Sequence, residues 1–271
     1  MFESPHDHPP KWVLVLTAYL DESSGQGDGF YVIGGYLGDK EAWTHLVREW
    51  RDGLGDRQGL HLKNLRLGSN GDRHKLLLET LGAKPRMCGL IPVRGSVRTS
   101  DYLHLTHGTA ARVGMEGYAL ALWPTVSKVL DTVPPDERVE LIFAEQVHYA
   151  GMREAVLSTI ASLGEYRNSS GLSKLAKWSS MPMSMILEPS DYLAYALLQR
   201  DIDPCSEKAR LTSPILQGQE IHSWHLGREE SLYLLAQLKD ELGERFNLGE
   251  DGVKILRREF NAVQPSDAGE G

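Results

Sequence analysis

Two apolar runs separated by a short polar stretch constrain this chain more than anything else in it. Trp12 to Leu20 reads WVLVLTAYL, and Phe30 to Leu37 reads FYVIGGYL. Each run has the length and the β-branched and aromatic content of a buried strand rather than of a helix. Between them lies Asp21-Glu22-Ser23-Ser24-Gly25-Gln26-Gly27-Asp28-Gly29, a polar glycine-rich turn. A parallel pair needs a crossover of a dozen residues or more, so this connection predicts an antiparallel hairpin.

After the hairpin the pattern alternates. Asp39 is placed to cap a helix carrying Trp43, Leu46, Val47 and Trp50 at helical spacing, ended by Gly53 and Gly55. A second helix is predicted over 72–81, stopped by Gly82. Arg86 to Val93 is a strand candidate weakened by Pro92. Residues 109–130 predict a long helix that Pro124 kinks or splits. Val139 to Ala144 (VELIFA) reads as a short strand, 152–163 as a helix and 175–178 as a short strand. Leu187 to Arg200 reads as a helix with Pro189 in its first turn. Residues 201–222 look irregular, and 228–246 predict a terminal helix with Leu232, Leu234, Leu235, Leu238 and Leu242 in a stripe. Single strands alternating with helices after an opening hairpin imply an α/β fold with a central mixed sheet flanked by helices. The expected organisation is a flexible arm over 1–10, one domain over 11–262 with a C-terminal helical extension from about 201, and a disordered tail over 263–271.

Of the 271 residues, 41% are hydrophobic, which is enough for a sizeable core. No stretch reaches the roughly 18 apolar residues needed to cross a bilayer, and the N-terminus lacks a basic segment followed by an apolar one. The expectation is a cytoplasmic protein with no membrane partner. Cys88 and Cys205 form no CxxC pair, which argues against a thiolate zinc site. The net charge of −8 argues against a broad nucleic-acid footprint, because phosphates are held largely through Lys and Arg. It leaves room for a narrow basic strip beside an acidic centre.

Three acidic positions share a context. Asp21 and Glu22 close the first run, Glu145 closes the VELIFA run, and Asp191 lies one short turn into a helix. In open α/β sheets, functional groups collect at strand ends and adjoining helix starts. Carboxylate oxygens are natural ligands for Mg²⁺ or Mn²⁺, and a metal pair about 3.5–4 Å apart activates water for phosphodiester cleavage. Each position also has a plain reading: Asp-Glu-Ser as turn chemistry, Glu145 as a solvated strand end, Asp191 as a partner of the helix dipole.

The segment Ala18-Tyr19-Leu20-Asp21-Glu22-Ser23-Ser24-Gly25, followed by Tyr31-Val32-Ile33-Gly34-Gly35-Tyr36, resembles the opening of the DUF3800 family. Trp43 and Trp50 fit the family's next helix. Leu187-Glu188-Pro189-Ser190-Asp191-Tyr192-Leu193-Ala194-Tyr195 is similar to its closing acidic helix. The resemblance covers roughly residues 12–200. It implies an RNase H-like fold and a metal-dependent nuclease centre, with Asp21, Glu22, Glu145 and Asp191 as catalytic carboxylates. Asp21, Glu145 and Asp191 would hold Mg²⁺ or Mn²⁺. The sequence departs from the family at three places. Ser24 interrupts the usual Asp-Glu-Ser-Gly run, Glu188-Pro189-Ser190 replaces the usual Gln and Ala, and Glu145 stands one position after the usual Asp.

Other residues carry weaker signals. His61, Lys63 and Lys177 are candidate substrate contacts near the carboxylates, or solvated surface groups; Lys174 and His148 are outside candidates. His104 and His107 have helical spacing for zinc but no third ligand. The 25–29 turn lacks a phosphate-loop pattern, and no Gly-x-Ser-x-Gly elbow supports a serine hydrolase. The functional expectation is a divalent-metal-dependent nuclease acting on DNA or RNA. The alternative is a catalytically inactive RNase H-like module that binds a protein partner or forms a homodimer through the 228–246 stripe.

Overall fold

The computed structural model describes residues 15–24, 29–57, 59–60, 62, 71–106, 110–134, 137–144, 149–163, 177–179 and 185–242. The opening hairpin is β1 (Val15–Ser24) and β2 (Phe30–Gly38), antiparallel as expected. β1 runs further than the apolar run does. Asp21, Glu22 and Ser23 lie inside the strand, paired with Gly34, Ile33 and Val32, rather than in a turn after it. Burial of Asp21 and Ser23, and the pairing of all three with β2, override their turn propensity.

α1 (Lys40–Leu54) starts where the sequence placed it. The Asp39 side chain accepts from the Ala42 N–H at 2.8 Å, and the helix ends on Gly55 at φ 59°. α2 (Gly71–Gly82) also follows the pattern. The strand expected over 86–93 is corrected. Lys84–Met87 form a short helix, α3, with Pro85 at its start, and β3 spans Ile91–Arg98. Pro92 precedes the first β3 residue paired on the strand's outer side, Val93, so its missing N–H is tolerated there. α4 (Thr99–Thr106) was not foreseen. α5 (Ala110–Thr132) runs unbroken through Pro124, so no split occurs. β4 (Arg138–Ala144), α6 (Ala150–Leu163) and β5 (Lys177–Ser179) match the expected elements closely. α7 spans Glu188–Ile202. The 201–222 region is less irregular than its composition suggests: it contains α8 (Glu207–Thr212), a 3-10 turn at Ser213–Leu216 and the start of β6 (His222–Leu226). α9 is Arg228–Leu242. No helix among the described residues is long and apolar enough to cross a membrane.

The strands form one six-stranded mixed sheet in the order β5-β4-β1-β2-β3-β6. β2 lies between β1 and β3 and is antiparallel to both. β4 runs parallel to β1, β5 parallel to β4, and β6 parallel to β3. β6 lies within the extension expected to be helical. Both faces are covered. One core packs Ala18, Leu20, Ile33, Val93 and Val97 against α5, α6 and α9. The other packs Val32 and Tyr36 against Trp43 and Trp50 of α1, Leu78 of α2 and Tyr192 of α7. Burial on both faces explains why the second run reads as continuous apolar sequence. Leu232, Leu234 and Leu235 of the α9 stripe join the first core.

Gly34 on one face and Gly95 on the other let the helices sit close. A Cβ at Gly34 would lie 3.3 Å from the Ala194 Cα of α7 and 3.3 Å from the Leu197 side chain. A Cβ at Gly95 would lie 2.3 Å from the Ala121 carbonyl oxygen of α5. Gly34→Val adds a branched side chain under a packed helix. We expect a loss of about 1–3 kcal/mol in urea unfolding, the usual cost of overpacking. Unchanged stability would refute this close seating of α7.

Candidate functional site

The alternation of β1 divides its polar end between two faces. Ala18 and Leu20 enter the α5 core, so Glu22 shares that side. Asp21 and Ser23 turn to the α7 side, where they are 6% and 2% exposed. The Asp21 Oδ1 accepts from the Glu22 N–H at 2.8 Å.

α7 brings the second carboxylate. Its first residues, Glu188, Pro189, Ser190 and Asp191, are all buried, an unusual start for a helix rich in polar groups. Ser190 Oγ donates to the Tyr19 carbonyl at 2.8 Å, which ties the first turn to β1. Ala194, one turn on, rests against Gly34, the residue paired with Asp21. Asp191 lies between these two contacts and is 4% exposed. Asp21 and Asp191 therefore belong to one layer, on one face, at the carboxyl end of β1. Glu188 has a separate task. Its Oε2 accepts from Trp50 Nε1 at 2.9 Å and from the Leu60 N–H at 3.1 Å. That fastens α1 and the segment after it to the start of α7.

Across the sheet from Asp21 lies a cluster the sequence reading missed. Arg153 of α6 is 1% exposed and Glu116 of α5 fully buried. The Arg153 guanidinium sits 4.7 Å from the Phe143 ring centre and 5.9 Å from that of Tyr118. Tyr118 stacks on Tyr149 at 4.3 Å. Burial lowers the Arg153 pKa, while Tyr118 and Glu22 pull it back up. Burial, with smaller contributions from Tyr31 and Glu22, pushes the Tyr149 hydroxyl up to about 12. Burial also raises Tyr118 far above its usual range. Arg153 opposes that rise, whereas Glu22 and Asp21 add to it. Arg153, Glu22 and Asp21 thus share one electrostatic neighbourhood at the strand end. Only the 3.6-residue spacing of Arg153 with the apolar Met152, Val156 and Leu157 of α6 hinted at its burial.

A third polar group lies on the α7 face, further across the sheet. Arg94 is paired in register with Gly34, which is itself paired with Asp21. Its guanidinium donates to Asp201 near the end of α7 and, at 3.0 Å, to Ser96 Oγ. Ser96 Oγ is also 3.0 Å from His225 Nδ1. Burial lowers the His225 pKa, with Arg94 adding to the effect; Asp101 and Asp201 pull it up, and Arg98 pushes it down. Burial raises the Asp201 carboxyl against the pull of Arg94 and Arg200.

Of the residues singled out from sequence, Asp21, Glu22 and Asp191 gather at the end of β1, with Glu22 on the opposite face. Glu145, His61 and Lys63 lie outside the described residues, as does the side chain of Lys177, which opens β5 opposite Ile142. β4 is parallel to β1, with Phe143 paired to Leu20, so both strands point their carboxyl ends to the same edge. Asp21 and Asp191 supply oxygen donors of the kind that hard cations take. Among the described residues, no group of three or more His, Cys, Asp or Glu side chains is arranged to hold a metal ion. Searches of protein-family models, curated proteins and solved structures find no match to this chain.

Glu188→Ala leaves the buried Trp50 Nε1–H and Leu60 N–H without their acceptor. The expected cost is about 2–3 kcal/mol in chemical unfolding, and less for Glu188→Gln, which keeps an acceptor oxygen. Equal stability of Glu188→Ala and wild type would remove Glu188 as the anchor. The folded state favours neutral His225, so this residue takes up a proton more readily when the chain is unfolded. Its contribution is retained above the ordinary histidine value of 6.5 and lost as pH falls below it. Urea midpoints of wild type and His225→Gln, compared above and below that pH, should show a flatter dependence in the variant. Parallel curves would refute the assignment.

Proposed function

We propose that this chain is a divalent-metal-dependent phosphodiester hydrolase, acting on DNA or RNA, built on an RNase H-like sheet. The observation that carries the reading is the joint burial of Asp21 and Asp191 on one face at the carboxyl end of β1. Carboxylate oxygens at a strand end and the adjoining helix start are donors of the kind that a divalent cation takes. The sheet supports the same reading: a central mixed sheet that opens with an antiparallel hairpin and is flanked by helices is what the family resemblance implies. β4 ends beside β1, so Glu145, which follows its last residue, is the natural third carboxylate.

The donor set fits Mg²⁺ or Mn²⁺, which are commonly bound by one or two carboxylates together with water and substrate phosphate. Asp21 and Asp191 would hold the ion, with Glu145 completing the set. Such an ion supplies an activated water and neutralises charge at the phosphodiester. The chain's own contribution is positional. Ser190 and Gly34 fix the height of Asp191 above the sheet, and the β1–β2 pairing fixes Asp21. Glu22 assists from the opposite face, held in the field of Arg153. His61, Lys63 and Lys177 stay as the sequence's candidates for substrate phosphate, with solvated surface groups as the alternative.

The test is hydrolysis of oligonucleotides and of bis(4-nitrophenyl) phosphate with Mg²⁺ or Mn²⁺. Asp21→Asn and Asp191→Asn should each lower the rate by at least about 100-fold, since even groups one step removed from a metal typically cost 10–100-fold. Wild-type rates in both variants would refute the assignment. Calorimetric titration with Mn²⁺ separates the enzyme from a non-catalytic interaction module. Binding lost in Asp191→Ala favours the enzyme, and an absence of binding in the wild type favours the module.

A further inference from the structure

A polyanionic substrate approaching an acidic protein needs cations somewhere along its path. The sheet face that carries Asp21 and Asp191 also carries a compact polar corner at the carboxyl ends of β3 and β6, whose cations are arginines. Arg98 closes β3 and is exposed, with its guanidinium 4.9 Å from the Phe30 ring centre. His225, exposed on β6, lies on the same ring at 6.1 Å. Phe30 is thus a platform that holds both groups in place. Behind them, Ser96 joins His225 to Arg94, and Asp201 accepts from Arg94. The buried Arg94 Nε has no hydrogen-bond partner among the described residues. Arg200 adds a further positive charge to the neighbourhood. Asp201 is engaged by Arg94, and Asp101 is the other carboxylate acting on His225.

Register relates this corner to the carboxylates. Asp21, Gly34 and Arg94 form one row, and Ser23, Val32, Ser96 and His225 form the next row but one. Phe30 and Arg98 pair two residues further on. All of these positions share the α7 face. From Asp21, Arg98 is two strands across and four residues along, about 16 Å at the usual sheet spacings. His225 is three strands across and two residues along, also about 16 Å.

We propose that the Arg98 guanidinium, as the cation, and the neutral His225 imidazole, as a hydrogen-bond donor, both braced on Phe30, form a backbone-phosphate subsite for a nucleic-acid strand whose reacting phosphodiester lies at Asp21 and Asp191. The subsite rests on the reading of the carboxylates as a phosphodiesterase centre. It goes beyond that reading in giving the substrate a direction, from β1 across to β6, and a minimum length. At the 3.4 Å rise of a B-form strand, 16 Å corresponds to about five nucleotides. The cation–π contact holds the Arg98 guanidinium above Phe30, so phosphate binding costs little side-chain entropy.

The experiment uses the full chain with Ca²⁺ in place of Mg²⁺. Fluorescent oligothymidylate and oligouridylate of about 4 and about 12 nucleotides serve as probes, spanning the five-nucleotide distance. Affinity should rise sharply from the shorter to the longer strand. Arg98→Ala should weaken the longer strand about fivefold and lower the slope of log affinity against log salt by about 0.7, the value for one phosphate contact on a single strand. Arg98→Lys, which keeps the charge, should recover part of both effects, and the melting temperatures should confirm that the variants fold. Wild-type affinity and salt slope in Arg98→Ala would overturn the subsite. So would a loss of equal size on both strand lengths. Hydrolysis of bis(4-nitrophenyl) phosphate by the wild type, abolished in Asp21→Asn, reports on the carboxylate centre alone. Its failure overturns the underlying reading, whichever way the binding data fall.

Discussion

α7 packs on β1 and β2 and reaches β3 through Asp201, and the geometry of the candidate site depends on how it is held there. Four contacts fix it. Glu188 takes the Trp50 and Leu60 N–H groups at its start, and Ser190 binds the Tyr19 carbonyl on β1. Ala194 rests on Gly34 of β2, and Asp201 accepts from Arg94 of β3. A helix fixed at both ends and in the middle cannot slide by a turn without breaking a buried polar contact. Breaking a buried ion pair by removing one partner typically costs about 3–5 kcal/mol, although such a pair adds little over a well-packed apolar one. The Arg94–Asp201 pair is therefore better understood as fixing register than as adding stability. The same helix carries Asp191 at one end and meets the polar corner at the other, so the two are rigidly related.

The end of β1 carries charge on both faces, and the two faces manage it differently. On the α7 side Asp21 and Asp191 form a carboxylate layer with Ser23 nearby. On the α5 side Glu22 faces Arg153, whose guanidinium is enclosed by Phe143 and Tyr118. The low dielectric that lifts the Tyr118 and Tyr149 hydroxyls also strengthens the Glu22–Arg153 attraction. Arg153 thus acts on Glu22 from the α5 side, while Asp21 and Asp191 lie on the other face. This division follows from the period-two alternation of a strand and from nothing more elaborate.

The hairpin, the Asp39 cap, α5 and the β4 strand were legible because each rests on a local signal: run length, a capping side chain or sustained periodicity. The parallel β1–β4 pairing was conditional in the sequence, since no local pattern states which strands are neighbours. The extension of β1 through Asp21-Glu22-Ser23 was hidden because polar residues at a strand end read as a turn. Only the opposing Val32, Ile33 and Gly34 reveal the pairing. β6 was missed for a related reason. His222-Ser223-Trp224-His225 is polar for a strand, and it stays so because an edge strand is exposed. Arg153, Glu116 and the Arg94–Ser96–His225 group are assembled from distant segments, so no spacing in the chain announces them. Asp21 and Asp191 were singled out in the sequence because strand-end and helix-start positions are where open α/β sheets collect functional groups; the structure buries both on one face.

The net charge of −8 now has a spatial meaning. Screening at physiological salt acts over about 8 Å, roughly half the distance from Asp21 to Arg98 by sheet geometry. The arginines of the polar corner do little to neutralise the carboxylate layer through solvent. Each end therefore interacts with its surroundings at contact distance: Arg94 is already matched by Asp201, and Arg98 rests on the Phe30 ring. A small phosphodiester meets only one end. A polymer of phosphates long enough to reach both would meet the two together and gain the sum of two short-range interactions. On this arrangement, preference for longer strands follows from the spacing of two independently screened sites, without any contact to a base.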